Sequence, residues 1–589
     1  MQQIRKGIAV SPGMAVGRAY CVHEIFVIPE AELIDEQQVV AELERYERAC
    51  EQTADDLRAL YQKVARQVGK SEAAIFRAHE TILRDPAFTA KVHERIVKDR
   101  LSAPAALRRV YEEYSELFAR TKDQFIKERL ADVRDVIVRL SGYLSEMLKP
   151  QAIQVSGPLI LVADELLPSH VVTLGERQVA GIVTQAGGST SHAAILARSR
   201  GIPAVSGVRG ILRQITNGDL VVVDGREGHV IVEPHSEVLA AYRKLQREFV
   251  DLKDHLAENR DQPAVSADGE SVELLANVNN VADAQAAGAM GATGVGLYRT
   301  EYFFLTHRDV PDEDEQLAMY RRLIEASPNR NVTIRTLDLG GDKTIPYLGH
   351  TREANPFMGW RSIRLSFEHP EFFATQIRAV LRAAADGDGQ QRVRLLFPML
   401  TTLEETRRVR GMVRRARRQL QQERKPYGDV PIGLMLEVPA AAISIDTLLE
   451  VVDFVSIGSN DLVQYLMAAD RDNPKVAHLY QPLSPPVLTV LSRVIRSCLR
   501  AGKPVTLCGE MAGRPRDFVL LYGMGLRSFS MSPAFVPTIK ELLSQLSGER
   551  ARAVLRRAMH LKTTGQIVRY MGEQIAQIAP NLRLFDTAG

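Results

Sequence analysis

Cysteine is scarce in this 589-residue chain, with four copies, and tryptophan occurs once. Cys21, Cys50, Cys498 and Cys508 are scattered and form no C-x-x-C pair, so neither a zinc site nor a disulfide framework is indicated. Reduced thiols in a cytoplasmic protein are the expectation. No stretch approaches ~18 consecutive apolar residues, so no transmembrane helix is expected. Met1 to Val10 lacks the apolar run of a signal peptide. Charge of one sign is also missing: 75 basic against 72 acidic residues leave a net charge of +3. That balance supplies no electrostatic reason to expect nucleic acid or a membrane as partner. Nucleotide motifs fall short as well. Gly69-Lys70-Ser71 has Val64 where a P-loop needs its first glycine, and Gly294-x-Gly296 lacks the third glycine of a dinucleotide fingerprint.

What is present changes texture along the chain. Residues 1–25 read as short strands with a turn at Ser11-Pro12-Gly13. Leu43, Tyr46, Cys50, Leu57, Leu60, Val64 and Val68 then recur at spacings that place them on one helical face. The same style continues to about residue 146, which predicts a bundle of antiparallel helices. Such a bundle is either a solvated module or a docking platform. Gly157–Ala163, Ala180–Thr184, Ile202–Val205 and Leu220–Asp224 are short apolar runs between turns, the pattern of a compact β/α domain. If the N-terminal strands complete that domain, the bundle is an insertion. Val238, Tyr242, Leu245, Phe249, Leu252 and Leu256 form the narrow seam of a connecting helix.

After residue 263 strand and helix alternate. Candidate strands are Val272–Val278, Gly294–Thr300, Val332–Asp338, Val393–Met399, Gly433–Val438, Asp453–Gly458, Pro504–Gly509 and Ser528–Ser532. Eight parallel strands in this length predict a (β/α)8 TIM barrel. The long connection from Asp338 to Val393 reads as a lid or binding loop.

Barrel enzymes carry their chemistry at the C-terminal strand ends. Here those ends hold Arg299, Glu301, Arg335, Asp338, Lys343, Glu437, Asn460, Asp461 and Cys508, with Arg361 and Arg471 following. One arginine at a strand end is ordinarily a surface ion pair. Several converging with carboxylates fit a small anion bearing phosphate and carboxylate, because guanidinium binds both bidentately. Glu437 and Asp461 suit Mg²⁺, which takes few protein ligands and keeps water and substrate oxygens. Cys508 is either a small buried hydrophobe or a group that exchanges a proton with a substrate carbon.

A second candidate centre is Gly187-Gly188-Ser189-Thr190-Ser191-His192, which follows an apolar strand. Ser189 or Thr190 can cap a helix starting there, leaving His192 in its first turn. The positive end of the helix dipole disfavours imidazolium and keeps the ring nucleophilic. The same N–H groups can hold phosphoryl oxygens after transfer. The plainer reading, an inert histidine among 13, remains open on these residues alone.

With these motifs together, the chain resembles enzyme I of the bacterial phosphotransferase system, the phosphoenolpyruvate–protein phosphotransferases. The resemblance rests on Gly187–Arg198, Gly296–Glu301, Asp338–Lys343, Asn355–Arg361, Leu436–Ala441, Ser456–Leu462 and Cys508–Gly513, and it runs from Ser11 to the end of the barrel. Dikinase-type enzymes share the histidine and barrel motifs. The helical insert with Glu128–Asp135, and the lack of an ATP-binding domain, favour enzyme I.

The resemblance implies a phosphohistidine β/α domain at 1–29 and 147–233 and an inserted helical subdomain at 30–146 that docks the carrier HPr. It further implies a helical linker at 234–262 and a phosphoenolpyruvate-binding barrel at 263–589 through which family members dimerise. It also implies roles. His192 would be phosphorylated through Nε2. Arg299, Arg335, Asn460 and Arg471 would bind phosphoenolpyruvate, with Asp461, Lys343 and Arg361 close by. Glu437 and Asp461 would hold Mg²⁺, and Cys508 would protonate the enolate to pyruvate. Two departures stand out: Ser189 where many members have arginine, and Val171 where some have threonine. Because donor and acceptor lie in different domains, a swing about 234–262 is expected. Rival readings are a nitrogen-type regulatory relay, a dikinase-like fragment and a binding module with a dead barrel. The absence of an extra N-terminal sensory domain favours sugar transport over the relay.

Overall fold

Short β-branched runs bounded by glycine and polar turns become the strands, and the helical stretches take over where the apolar spacing lengthens to three and four. The computed structural model describes residues 3–11, 13–22, 32–67, 70–119, 124–144, 157–164, 179–185, 197, 202–305, 307, 309–340, 353, 355–385, 392–471, 473 and 475–584. Two compact units are present, Met1–Val250 and Asp251–Asp586.

In the first unit, β1 (Gln3–Lys6), β2 (Ile8–Ser11), β3 (Met14–Val22), β4 (Leu159–Ala163), β5 (Val179–Thr184), β6 (Ala204–Ser206), β7 (Leu220–Asp224) and β8 (His229–Val232) form one mixed sheet of order β1-β8-β7-β3-β4-β5-β6-β2. β8 had no counterpart among the expected strands. β1 and β2 end the strand order on opposite sides yet are joined by Gly7 alone, so the sheet curls until its two edges meet there, where an added Cβ would strike Ser206 O and Val208. Ala15, Ala19, Ile160, Val183, Val205, Val221 and Val230 make the core of this sheet.

Helices α1 (Val39–Gln67), α2 (Lys70–Leu83), α3 (Pro86–Lys98), α4 (Ala103–Ala119) and α5 (Gln124–Leu144) stand between β3 and β4, which pair directly and in parallel from Arg18↔Leu159 to Val22↔Ala163. The bundle thus leaves one strand and returns to its neighbour. Tyr46 and Leu57 are buried in its core with Phe76, Val92, Ile96, Val110 and Leu140, and Leu43, Cys50 and Leu60 pack against them. The side chains of Val64 and Val68 lie outside the described residues. Pro86 at the first position of α3 and the Asp85 side chain accepting from Ala87 N at 2.8 Å set that helix start, a cap that contributes about 1 kcal/mol.

The helix Ser236–Glu258 follows β8; Val238, Leu239 and Tyr242 pack on Val16, Val222 and Ile231. The side chains of Phe249 and Leu252 lie outside the described residues.

The second unit is a closed parallel barrel of β9 (Glu273–Val278), β10 (Val295–Tyr298), β11 (Asn331–Arg335), β12 (Arg392–Phe397), β13 (Ile432–Leu436), β14 (Phe454–Ile457), β15 (Val505–Leu507) and β16 (Ser528–Met531). β16 closes on β9 through Ser528↔Glu273 to Met531↔Ala276. The TIM-barrel expectation is borne out, with every strand except β9 ending earlier than expected at its C-terminal end. The connection from Asp338 to Val393 is not one long loop: it contains helices Ile363–Glu368 and Pro370–Ala383. Alternation sorts the strand residues. Ile334, Leu395, Phe397, Leu434, Leu436, Val455, Ile457 and Leu507 face the helix layer, whereas Leu297, Leu396, Met435, Phe454 and Cys508 cluster in the interior.

Candidate active site

The same period of two carries the interior rows up to the rim. Two residues beyond Leu297 comes Arg299; two beyond Thr333, Arg335; two beyond Met435, Glu437; and two beyond Thr506, Cys508. Each therefore points inward at the C-terminal strand ends. There a cluster of four guanidiniums meets four carboxylates.

Arg335 is buried and donates from Nη2 to Glu301 Oε1 at 2.9 Å, while its Nη1 lies 3.1 Å from Asp338 Oδ2. Burial opposes its charge, yet Glu301, Asp338 and Glu437 hold the guanidinium above its ordinary value. Glu301 also accepts from the Asp338 backbone N at 3.0 Å, so one carboxylate fixes both partners. Arg361 bridges carboxylates from two strand ends: Nη2 is 3.0 and 3.1 Å from the Asp338 oxygens and 3.2 Å from Asp461 Oδ2. Its Nη1 donates to Tyr465 Oη at 3.2 Å. Its approach depends on Gly340, at φ 116°, where a Cβ would overlap Arg361 itself. Arg471 Nη1 sits 3.3 Å from Asp461 Oδ1.

Arg299 differs. It is half-buried, and among the described residues it has no ion pair. Desolvation first, and Arg335 second, lower its pKa. Glu437 shows the opposite stress: burial, then Asp461 and Asp338, push its carboxyl up to about 8. Its Oε1 accepts from Met399 N at 2.7 Å, and Met399 holds a left-handed φ of 57° to present that group. A Cβ at Gly458 would stand 2.8 Å from Glu437 Oε2, so the glycine makes room for the carboxylate.

Cys508 accepts from Ser456 Oγ at 3.2 Å and donates to Ile457 O at 3.5 Å. Burial raises its pKa, while the Ser456 hydrogen bond and Arg335 act against that rise, so the thiol holds its proton. Asn460 Oδ1 accepts from Glu510 N at 2.9 Å across Gly509, where any side chain would overlap Ser459 Oγ.

Of the residues singled out from sequence, Arg299, Arg335, Arg361, Arg471, Glu437, Asp461 and Cys508 converge here, and Asn460 lies at its edge. His192 and Lys343 lie outside the described residues. Sequence reasoning missed Tyr465, Ser456 and Asn277. Tyr465 lies one helical turn after Asp461 in Ser459–Met467, and Ser456 is a polar residue on an inward strand position, so periodicity could have flagged both. Among the described residues no three His, Cys, Asp or Glu side chains gather as a metal cage. The acidic oxygens of Glu437 and Asp461 still fit a hard divalent cation that draws the rest of its shell from substrate and water.

Residues 6–129 match the family described as PEP-utilising enzyme, N-terminal; residues 155–228 match its mobile domain; residues 253–547 match its PEP-binding domain. The chain is 38% identical to the phosphoenolpyruvate-protein phosphotransferase of Bacillus sp. (strain S), over 96% of this chain and 97% of that protein. It is 37% identical to the protein of that name from Bacillus subtilis (strain 168), over 97% of this chain and 100% of that protein.

Proposed function

The chain belongs to the phosphoenolpyruvate-protein phosphotransferase family, and on that premise we propose that it moves the phosphoryl group of phosphoenolpyruvate to its own His192 and then to an HPr-type carrier, releasing pyruvate. The observation that carries this reading is the imbalance at the barrel rim: Arg299 stands without an ion pair among the described residues, beside Arg335 and Arg471. A small dianion or trianion satisfies that imbalance, because guanidinium pairs with phosphate and carboxylate alike.

Arg299, Arg335, Arg471, the Asn460 amide and Lys343 bind the substrate. Arg361, already engaged by Asp338, Asp461 and Tyr465, holds Asp461 in place. Glu437 and Asp461 would hold Mg²⁺, which when bound supplies charge neutralisation at phosphoryl oxygens. Neutral His192 attacks phosphorus through Nε2; the P–O bond breaks and its electron pair stays on the enolate oxygen. The Cys508 thiol gives its proton to the enolate carbon, which makes pyruvate and draws the transfer forward.

The phosphohistidine then faces a carrier docked on helices α1 to α5, and the segment 234–262 is the pivot. The departures at Ser189 and Val171 lie outside the described residues. The enzyme works in the cytoplasm as a homodimer joined through the barrel, at the head of sugar transport. Incubation with ³²P-labelled phosphoenolpyruvate and Mg²⁺ tests the core of this reading. Acid-labile label is expected on the wild type and none on His192→Ala; label retained by the variant overturns it.

A further inference from the structure

A thiol that delivers a proton to carbon must satisfy two demands. Its proton has to point at the carbon, and the thiolate left behind has to be tolerated in a buried place. Cys508 is 3% exposed and walled by Leu297, Leu396, Met435 and Phe454, surroundings that resist a new negative charge. The groups that face it from neighbouring elements are Arg299, Arg335 and Glu437, with Ser456 on β14 and Asn277 on β9.

Ser456 is itself 1% exposed, and its Oγ donates to Cys508 Sγ at 3.2 Å. That hydrogen bond fills the sulfur's acceptor side, so the S–H must lie elsewhere. In this structure it points to Ile457 O at 3.5 Å, and a rotation about Cβ–Sγ redirects it. The main chain is pinned independently: Asn277 Nδ2 donates to Cys508 O at 2.9 Å, and Ser530 Oγ donates to Asn277 Oδ1 at 2.7 Å. Polar side chains from β9, β14 and β16 thus fix the cysteine from both sides.

We propose that Ser456 is the positioning residue for the carbon-protonation half of the reaction, orienting the Cys508 proton and accepting the charge that its departure creates. The inference rests on the reading of Cys508 as the proton donor. In that step the enolate π pair forms the C3–H bond, the S–H bond breaks, and its electron pair stays on sulfur. The Ser456 O–H then becomes a hydrogen bond to an anion, which is about twice as strong as one to a neutral group. Solvent restores the thiol proton before the next turnover.

The test compares wild type, Ser456→Ala, Ser456→Thr and Cys508→Ala. Two rates are measured on each in D₂O: phosphorylation of the protein by phosphoenolpyruvate, and phosphoenzyme-dependent deuterium exchange into the methyl group of pyruvate. The expected result is a fall of about 10- to 100-fold in the exchange-to-phosphorylation ratio for Ser456→Ala. Recovery of most of that loss is expected in Ser456→Thr, which keeps the hydroxyl. A misfolded barrel lowers both rates together and leaves the ratio intact, so the ratio and the Thr rescue separate positioning from damage. A wild-type ratio in Ser456→Ala beside a lost exchange in Cys508→Ala overturns the role of Ser456 alone. Undiminished exchange in Cys508→Ala overturns the reading of the cysteine, and the proposal with it.

Discussion

Two arginine–carboxylate clusters occupy the barrel unit, and they are tuned in opposite directions. On the outside, Arg378 grips Glu423 with Nη1 at 2.8 Å and Nη2 at 2.6 Å and reaches Glu313 through Nε at 2.5 Å. Arg382 Nη1 meets Glu313 and Asp314, each at 2.6 Å, and Lys425 adds a contact to Glu423 at 3.0 Å. Every carboxyl there is held low: Glu423 falls to about 2 through its hydrogen bonds to Arg378 and Lys425. Glu313, despite burial, and Asp314 are lowered by the same arginines. At the rim the residue types are the same, yet Glu437 is driven up to about 8 and Arg299 is driven down. The outer cluster is electrostatically closed. The inner one is left open on both signs, the condition of a site that awaits a charged ligand.

Breaking the inner cluster at its hub should have the largest effect. Arg335→Ala strands Glu301 in a buried place and takes from Asp338 one of its two arginines, and removal of one partner from a buried pair costs about 3–5 kcal/mol. A drop in Tm and a loss of phosphoenolpyruvate-dependent phosphorylation of at least about 100-fold are expected, read by calorimetry and label incorporation.

Arg299→Ala sharpens the contrast. This guanidinium has no carboxylate to strand among the described residues, so its loss should leave Tm unchanged or slightly raised. The KM for phosphoenolpyruvate should rise by about 10- to 150-fold, the value of a charge-assisted hydrogen bond of about 1.5–3 kcal/mol. A fall in Tm like that of Arg335→Ala would show that the two arginines are not differently placed after all.

Glu437 gives a pH test. Its folded-state pKa of about 8 lies above the ordinary carboxyl value of 4.5, so between those pH values the folded state binds the extra proton. Stability therefore falls as pH rises through this window, and is lowest once the carboxyl is ionised. In metal-free protein, Glu437→Gln should raise Tm at pH 9 and leave it nearly unchanged at pH 4. An equal shift at both pH values would mean that Glu437 is not held protonated.

Much of this was legible in sequence, for physical reasons that vary by residue. The barrel strands were visible because runs such as Leu395-Leu396-Phe397 and Leu434-Met435-Leu436 are buried on both faces, and nothing but a strand suits so short an apolar run here. Their ends were overextended because Thr336-Leu337-Asp338 still looks strand-like, whereas the ladder ends at Arg335 and the next residues turn to pair with Glu301 and Arg361. Arg299, Arg335, Glu437 and Cys508 were readable because strand-end position and residue type together imply chemistry. What composition could not show is who compensates whom. Glu301 and Asp338 were visible as motif residues, but their work as clamps on Arg335 and Arg361 is a matter of distances. Ser456 gave only the weak signal of a polar residue at an inward strand position, because a single hydroxyl there has many uses, and only the 3.2 Å contact to sulfur selects one.

The smallest effect should come from the closed cluster, and it is the one that decides whether the comparison holds. Arg378→Ala removes the bidentate grip on Glu423 and one of two arginines on Glu313. Glu423 is depressed from 4.5 to about 2, so its contribution is complete above the ordinary value and is lost as pH falls through about 2. The variant should therefore begin to unfold at a higher pH on acidification, with a modest loss of Tm at neutral pH. Phosphoenolpyruvate KM and turnover should stay at wild-type values, because nothing in this cluster touches the rim. Acid titration followed by circular dichroism, beside a KM determination, measures both. A KM that rises alongside that of Arg299→Ala would mean that the two clusters are mechanically joined. The division between a closed ion network that supports the fold and an open one that binds would then be wrong.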